Sequence, residues 1–346
     1  MRDKILFAAL AGGLLAGLGA CGSNDPGQST SSSSGSDSGS SSGSGSSSSS
    51  GTSSSSSSGS SSGGTASGRV FSGAAAPATL TLPAGSQGFV RTVDGRQVLY
   101  VVPDPAPTTF SPLMIMLDYL GGNPSFMADL VLAGAHAAQG EILAFPAHQG
   151  VTWNNGVYTS QVFSDPQSDI VFLTDVIADA TANLPVDAAR ISMTGFSEGG
   201  FMANLFACDK PGLISGYGMV GASQLTTTSC ESGTPLKMIQ FAGTNDKQVP
   251  YNGFGTVMAA PASLSIWETI DGCTGAETAT TLPVLVDDGT SVVEHRIPGC
   301  GAILYQIVNG GHDWPDGKVT PSTILLGTTT QNIDATKTQW DFFTGS

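Results

Sequence analysis

Basic side chains are scarce in this sequence: 12 Lys and Arg stand against 27 Asp and Glu, for a formal net charge of −15. A field of that sign repels phosphate backbones, anionic lipid surfaces and polyanionic substrates, so nucleic acid is not an expected partner. Cysteine and histidine are few as well, with 5 and 4 copies. No CxxC pair and no Cys/His cluster at metal-ligand spacing occurs, which speaks against a zinc site. No apolar run reaches the length needed to cross a bilayer.

What is present divides the chain in three. Arg2 and Lys4 precede an apolar run from Ile5 to Leu18, too short to span a membrane but laid out as an export signal. It ends in Leu18-Gly19-Ala20-Cys21, which resembles a bacterial lipobox, where a cysteine is lipidated and becomes the mature N-terminus. Residues 1–21 are thus read as a lipoprotein-type signal peptide. Residues 22–68 are almost entirely Ser and Gly, without the apolar side chains that would offset the entropy of ordering. A flexible tether of about 45 residues has an r.m.s. reach of roughly 35–40 Å. Residues 69–346 remain for one folded domain. The expected location is outside the cell, either lipid-anchored at a bacterial cell surface or outer membrane, or secreted. Membrane contact is expected only through Cys21, and the domain is expected to be a monomer. Four cysteines remain after Cys21, and three pairings are open. Cys208 with Cys230 and Cys273 with Cys300 close the shortest loops and are the expected disulfides.

Within the domain the hydrophobic period changes along the chain. Gly88 to Val102 alternates around Asp94-Gly95, a hairpin signal. Leu113 to Leu117 is a continuous apolar run, as for a strand buried on both faces. An amphipathic segment spans about Ser125 to Ala138, followed by the short apolar stretch Ile142 to Phe145. Asp169 to Leu184 repeats apolar residues at helical spacing, Ile191 to Thr194 reads as a strand, and Glu198 to Cys208 as a helix. Strands near Tyr217–Val220, Lys237–Phe241 and Ile303–Val308, with helices near Ala262–Ile270 and Thr336–Phe343, complete the series. This alternation predicts an α/β fold: a mostly parallel, doubly wound sheet with flanking helices and an N-terminal antiparallel hairpin.

One motif sits where that pattern gives it meaning. Gly195-Phe196-Ser197-Glu198-Gly199 falls between an expected strand and an expected helix, the setting of a nucleophile elbow. Glycine is required on both sides because larger side chains at 195 and 199 would collide with the neighbouring backbone. The start of the helix favours negative charge, and the Glu198 amide would face a developing oxyanion. Ser197 needs a base. Of His136, His148, His295 and His312, the last lies in a Gly-rich loop after the final strand, where the Ser–acid–His order of α/β-hydrolases puts it. Asp246, directly after the strand ending near Phe241, is the expected acid; Asp271, Asp287 and Asp288 are its competitors.

Four segments carry a family resemblance: Arg190 to Ala203 around the serine, Gly243-Thr244-Asn245-Asp246 with Val249 to Gly253, Trp267 through Gly272-Cys273, and Gly310 to Pro315. In order and spacing they resemble the polyhydroxybutyrate depolymerase and feruloyl/acetylxylan esterase group, carbohydrate esterase family one of the α/β-hydrolase superfamily. The resemblance covers most of the chain from about Pro112. It implies an α/β-hydrolase fold, a triad of Ser197, Asp246 and His312, and Trp314 beside the substrate cleft, with no cofactor. Where the family has His-Gly after its first core strand, this chain reads Leu117-Asp118-Tyr119-Leu120. The second oxyanion donor is therefore expected from Tyr119 or Leu120, and Asp118 is expected to disfavour acidic acyl groups. Trp153 and Phe196 are further candidates for the substrate surface. The expected substrates are small or polymeric esters: feruloyl or acetyl esters of polysaccharide, or a polyester such as a polyhydroxyalkanoate. A serine peptidase and a catalytically dead surface binding protein are the rivals.

Replacing Cys21 by Ser in the exporting host is expected to abolish incorporation of labelled palmitate and to move the chain from the membrane fraction to the soluble one. Undiminished lipid label in that variant would contradict the lipobox reading.

Overall fold

The computed structural model describes residues 66, 68–157, 168–230, 236–319 and 326–346. The leader, Cys21 and all but two residues of the tether lie outside the described residues. Strands β1 (Ala74–Ala75), β2 (Ser86–Val93), β3 (Arg96–Pro103), β4 (Ser111–Leu117), β5 (Leu143–Pro146) and β6 (Val186–Phe196) are followed by β7 (Gly216–Val220), β8 (Lys237–Gly243), β9 (Thr278–Thr281), β10 (Ser291–Arg296) and β11 (Ala302–Val308). They form one sheet in the order β1-β2-β3-β5-β4-β6-β7-β8-β11-β10-β9. The central strands β5, β4, β6, β7, β8 and β11 run parallel. Both edges are antiparallel, β1–β3 on one side and β9–β10 on the other. The helices are α1 (Pro124–Leu130), α2 (Ala133–Ala137), α3 (Ser168–Asn183), α4 (Glu198–Asp209), α5 (Ala260–Ile270) and α6 (Ala335–Thr344).

The continuous apolar run of β4 is explained by burial on both faces. Leu113, Ile115 and Leu117 pack on one side with Ile170, Leu173 and Val176 of α3 and with Met202 and Phe206 of α4. Met114 and Met116 pack on the other with Met127 of α1, Phe145, Phe241 and Phe343. Each such side chain contributes roughly 1.5–3 kcal/mol through burial, and the period-2 strand pattern gives way to a run because neither face is wet. At the β2–β3 hairpin, Asp94 and Gly95 adopt φ of 46° and 73°, the positive values that a two-residue turn of matching twist demands.

Two expectations change. The segment from Ser125 to Ala138 is two short helices, since Leu132 turns to φ 55° between them. The break lets Gly134 approach the N-terminal segment so closely that a methyl there would lie 2.5 Å from the Thr81 carbonyl oxygen. Strands β9 and β10 were not foreseen. All four residues of β9 are exposed and β10 buries only Val292, so no apolar period marks them. Edge strands of this kind protect the sheet by carrying little that another chain could bury.

Cys208, within α4, is bonded to Cys230, and Cys273, just after α5, to Cys300, just before β11. The bridged residues are 22 and 27 apart, loops whose closure stabilises by roughly 3 kcal/mol each in the chain-entropy account. Replacing either pair by alanines should lower the denaturation free energy by about that amount in urea titration. An unchanged midpoint would contradict the pairing.

Candidate active site

Ser197 lies between the end of β6 and the start of α4 in a conformation, φ 53° and ψ −117°, that L-residues seldom adopt. Its amide is held by the Val220 carbonyl oxygen at 2.8 Å, while its own carbonyl accepts from Gly200 and Phe201. The flanking glycines are obligatory for the reason the sequence suggested. A methyl at Gly195 would lie 2.2 Å from the Gly199 carbonyl carbon, and one at Gly199 2.3 Å from the Leu117 carbonyl oxygen. The hydroxyl is thereby raised from the carboxyl edge of the sheet.

Two further strand ends bring the partners. The loop after β11 turns through Asn309, Gly310 and Gly311 and is fixed by the His312 amide on the Leu326 carbonyl at 2.9 Å. His312 Nε2 lies 3.0 Å from Ser197 Oγ, and Nδ1 lies 2.7 Å from Asp246 Oδ2. The remaining Asp246 oxygen, Oδ1, accepts the amides of Gln248 and Val249, both at 2.8 Å. Asp246 therefore has one lone pair set aimed at the imidazole. Its acceptor fixes the ring with the proton on Nδ1, leaving Nε2 free to accept from the serine hydroxyl. His312 and Asp246 are buried, and Phe196 lies against the imidazole in a tilted arrangement with ring centroids 5.0 Å apart.

The competing groups are engaged elsewhere. His136 bonds Glu141 at 3.3 Å, and His295 bonds Glu277 and Gln306. His148 Nε2 faces Asp118 Oδ2 at 3.6 Å. Asp271 follows the last turn of α5, and Asp288 caps a turn by accepting from Thr290 and Gln331. Asp287 is exposed.

The residues expected at the substrate surface lie deeper than expected. Trp314 is fully buried and donates from Nε1 to Thr336 Oγ1 at 3.0 Å, so it underlies Phe196 instead of lining a cleft. Trp153 is fully buried too, its indole spent on Asp118. Phe196 is 4% exposed, covered by Tyr119 and His312. Asp118 also changes meaning. Burial pushes its carboxyl up to about 8, against the lowering effect of the Trp153 hydrogen bond, so its neutral form is favoured at neutral pH. Burial also pushes the Glu198 carboxyl up, to about 7, despite the Asn155 hydrogen bond and the proximity of His312. Tyr119, covering Phe196, is pushed up to about 12 by burial and then by the charges of Asp118, Asp313 and Asp129. Asn155 went unnoticed in the sequence, where it stands in no motif.

No family model matches the chain. It is 26% identical over 263 residues to NocK of Nocardia uniformis subsp. tsuyamanensis, assigned as an esterase, covering 70% of this chain and 76% of that protein. It is 27% identical over 227 residues to feruloyl esterase B of Piromyces equi, covering 60% of this chain but only 41% of the relative. Among solved structures, an acetyl xylan esterase from Aspergillus awamori superposes with a TM-score of 0.52 at 12% identity, over 75% of this chain and 99% of that one. Fold and relatives agree on one class: the chain has the α/β-hydrolase fold, and the relatives it matches in sequence are named as esterases. Within that class, the relatives match the feruloyl and acetylxylan esterase resemblance that the motifs carried.

The buried carboxyls give a pH signature to stability. In the unfolded chain Asp118 ionises near 3.8, in the folded chain near 8. Between those values the fold keeps a proton that the unfolded chain has released, so stability falls as pH rises through the window and is lost above the folded value. Glu198 adds to the same trend up to about 7. Asp118→Asn is expected to lessen the fall in Tm between pH 5 and pH 9. Parallel Tm profiles for the variant and the parent would contradict it.

Proposed function

We propose that the chain hydrolyses feruloyl or acetyl esters of polysaccharide by acyl transfer through Ser197, from a lipid-tethered position outside the cell. The observation that carries the mechanism is the continuous hydrogen-bonded series from Ser197 Oγ through His312 to Asp246, at 3.0 and 2.7 Å. Ser197 Oγ attacks the ester carbonyl carbon as its proton passes to His312 Nε2. Asp246 stabilises the imidazolium through Nδ1 without taking the proton. The carbonyl oxygen becomes an oxyanion facing the Glu198 amide, which begins α4 and has no carbonyl one turn earlier to bond. Gly121 and Gly122 bond their amides to Val151 and Tyr119, and we assign the second donor to the Tyr119–Leu120 backbone just before them. As the tetrahedral species collapses, the C–O bond breaks and His312 returns the proton to the departing alcohol. Water, deprotonated by the same imidazole, then releases the acid and restores the Ser197 hydroxyl. No step calls for a cofactor.

The feruloyl and acetyl reading draws on the names of the relatives and on a tether suited to substrates too large to import. A polyhydroxyalkanoate depolymerase is the second reading, favoured by one surface feature. Val284 and Leu285 are 58% and 72% exposed on a loop held by the Leu285 and Val286 amides on Asn332 Oδ1, an apolar tip suited to a polyester surface.

Ser197→Ala is expected to lower p-nitrophenyl ester turnover by at least about 10³-fold in a protein of unchanged melting behaviour. Near-normal turnover would remove the assignment. On the parent, release of ferulate or acetate from methyl ferulate or acetylated xylan, but not of hydroxybutyrate from its polymer, is the expected panel; the reverse pattern selects the second reading.

A further inference from the structure

The two halves of the oxyanion site come from separate elements, the loop after β4 and the first turn of α4, and one short buried segment bonds to both. Trp153 Nε1 donates to the Asp118 carbonyl oxygen and to Asp118 Oδ1, each at 2.9 Å. Asn155 Nδ2 donates to the Glu198 carbonyl oxygen at 2.9 Å and also to Glu198 Oε2. In both cases a single side-chain nitrogen holds the backbone and the carboxyl of one residue, so that residue can neither rotate nor shift alone. Asn155 Oδ1 accepts the Val157 amide at 2.9 Å, which fixes the orientation of the amide group and aims Nδ2 at Glu198.

The segment itself is anchored from behind. The Asn154 amide donates to Asp169 Oδ2 at 2.7 Å, and Asp169 Oδ1 is paired with Arg96 Nη1 at 2.6 Å. The Arg96 guanidinium lies 5.6 Å from the Trp153 ring centroid and 3.6 Å from that of Phe172. Trp153 and Asn155 are 0% and 1% exposed, so neither meets substrate. Packing alone would be served by phenylalanine at 153; the indole N–H is used on the residue immediately before Tyr119.

We propose that Trp153 and Asn155 are positioning residues that set the separation of the two oxyanion donors, the Glu198 amide on one side and the Tyr119–Leu120 backbone on the other. The proposal rests on Ser197 being the nucleophile of an ester hydrolase. Both braced carboxyls are shifted toward their neutral forms by burial, which lessens the negative charge next to the oxyanion. Loss of one oxyanion donor costs roughly 10²–10³ in kcat, and a misplacement of about 1 Å costs on the order of 10². A brace acting on both donors therefore belongs in the range of about 10–100-fold.

The test uses the full chain carrying Asn155→Ala or Trp153→Phe, with p-nitrophenyl acetate as substrate and a trifluoromethyl ketone as a probe that forms the tetrahedral oxyanion. The expected result is a fall in kcat of about 10–100-fold with KM within about twofold, and a matching loss of ketone affinity. Melting curves and the final extent of fluorophosphonate labelling at Ser197 report that the fold and nucleophile persist. Asn155→Ser replaces the alanine variant if that one does not fold. A kcat within twofold of the parent overturns the proposal, as does a rise in KM at constant kcat, which would make the segment a substrate contact. Ser197→Ala separates the two claims: full activity there removes Ser197 as the nucleophile, whereas normal kcat in a labelled Asn155→Ala enzyme removes only the brace.

Discussion

Helix α4 begins so close to the end of β4 that a methyl at Gly199 would lie 2.3 Å from the Leu117 carbonyl oxygen and 2.6 Å from that of Asp118. Everything at the site depends on this approach. It puts the positive end of the helix beside the loop that must supply the second oxyanion donor, and it forces Ser197 into a backbone conformation costing about 1–3 kcal/mol. The cost is borne because the turn is over-determined. The Ser197 amide is tied to β7, the glycines at 195, 199 and 200 leave no room for drift, and Gly221 brings the next strand end against the His312 ring. Parallel strands deliver all of this to one edge, since β6, β8 and β11 end on the same side of the sheet.

Charge around the site is managed by burial more than by pairing. The chain is strongly acidic, yet the two carboxyls nearest the elbow, Asp118 and Glu198, are pushed up to about 8 and about 7 by desolvation. Each is held by a neutral donor, an indole and a primary amide, not by a cation. Asp246 is arranged differently: two backbone amides donate to one of its oxygens and the other faces the imidazole, an arrangement that orients a neighbour. Environment alone thus separates the carboxyl that steers the base from the two that shape the backbone around the oxyanion.

The elbow, the base and the acid were legible because each obeys a local rule: glycines about a strand-to-helix turn, a histidine in a Gly-rich loop after the last strand, an aspartate directly after β8. The central strands were legible because burial on two faces leaves continuous apolar runs. Strands β9 and β10 were not, since an exposed edge needs no apolar period. The aromatic residues misled for a related reason. Sequence offers Trp153 and Trp314 as aromatic candidates, but does not show that their N–H groups point inward to Asp118 and Thr336. Asn155 left no signal at all, because its role is set by a contact 43 residues away with Glu198.

The central claim is that an acyl group passes through Ser197. Rapid mixing of the protein with excess p-nitrophenyl acetate, acid quench within the first turnover and peptide mass mapping tests it most directly. The account predicts acetyl on the peptide bearing Ser197, formed as fast as the initial nitrophenolate release and discharged at the steady-state rate. Acetyl on another residue, or turnover with Ser197 never modified under conditions that trap acyl-enzymes, would contradict it.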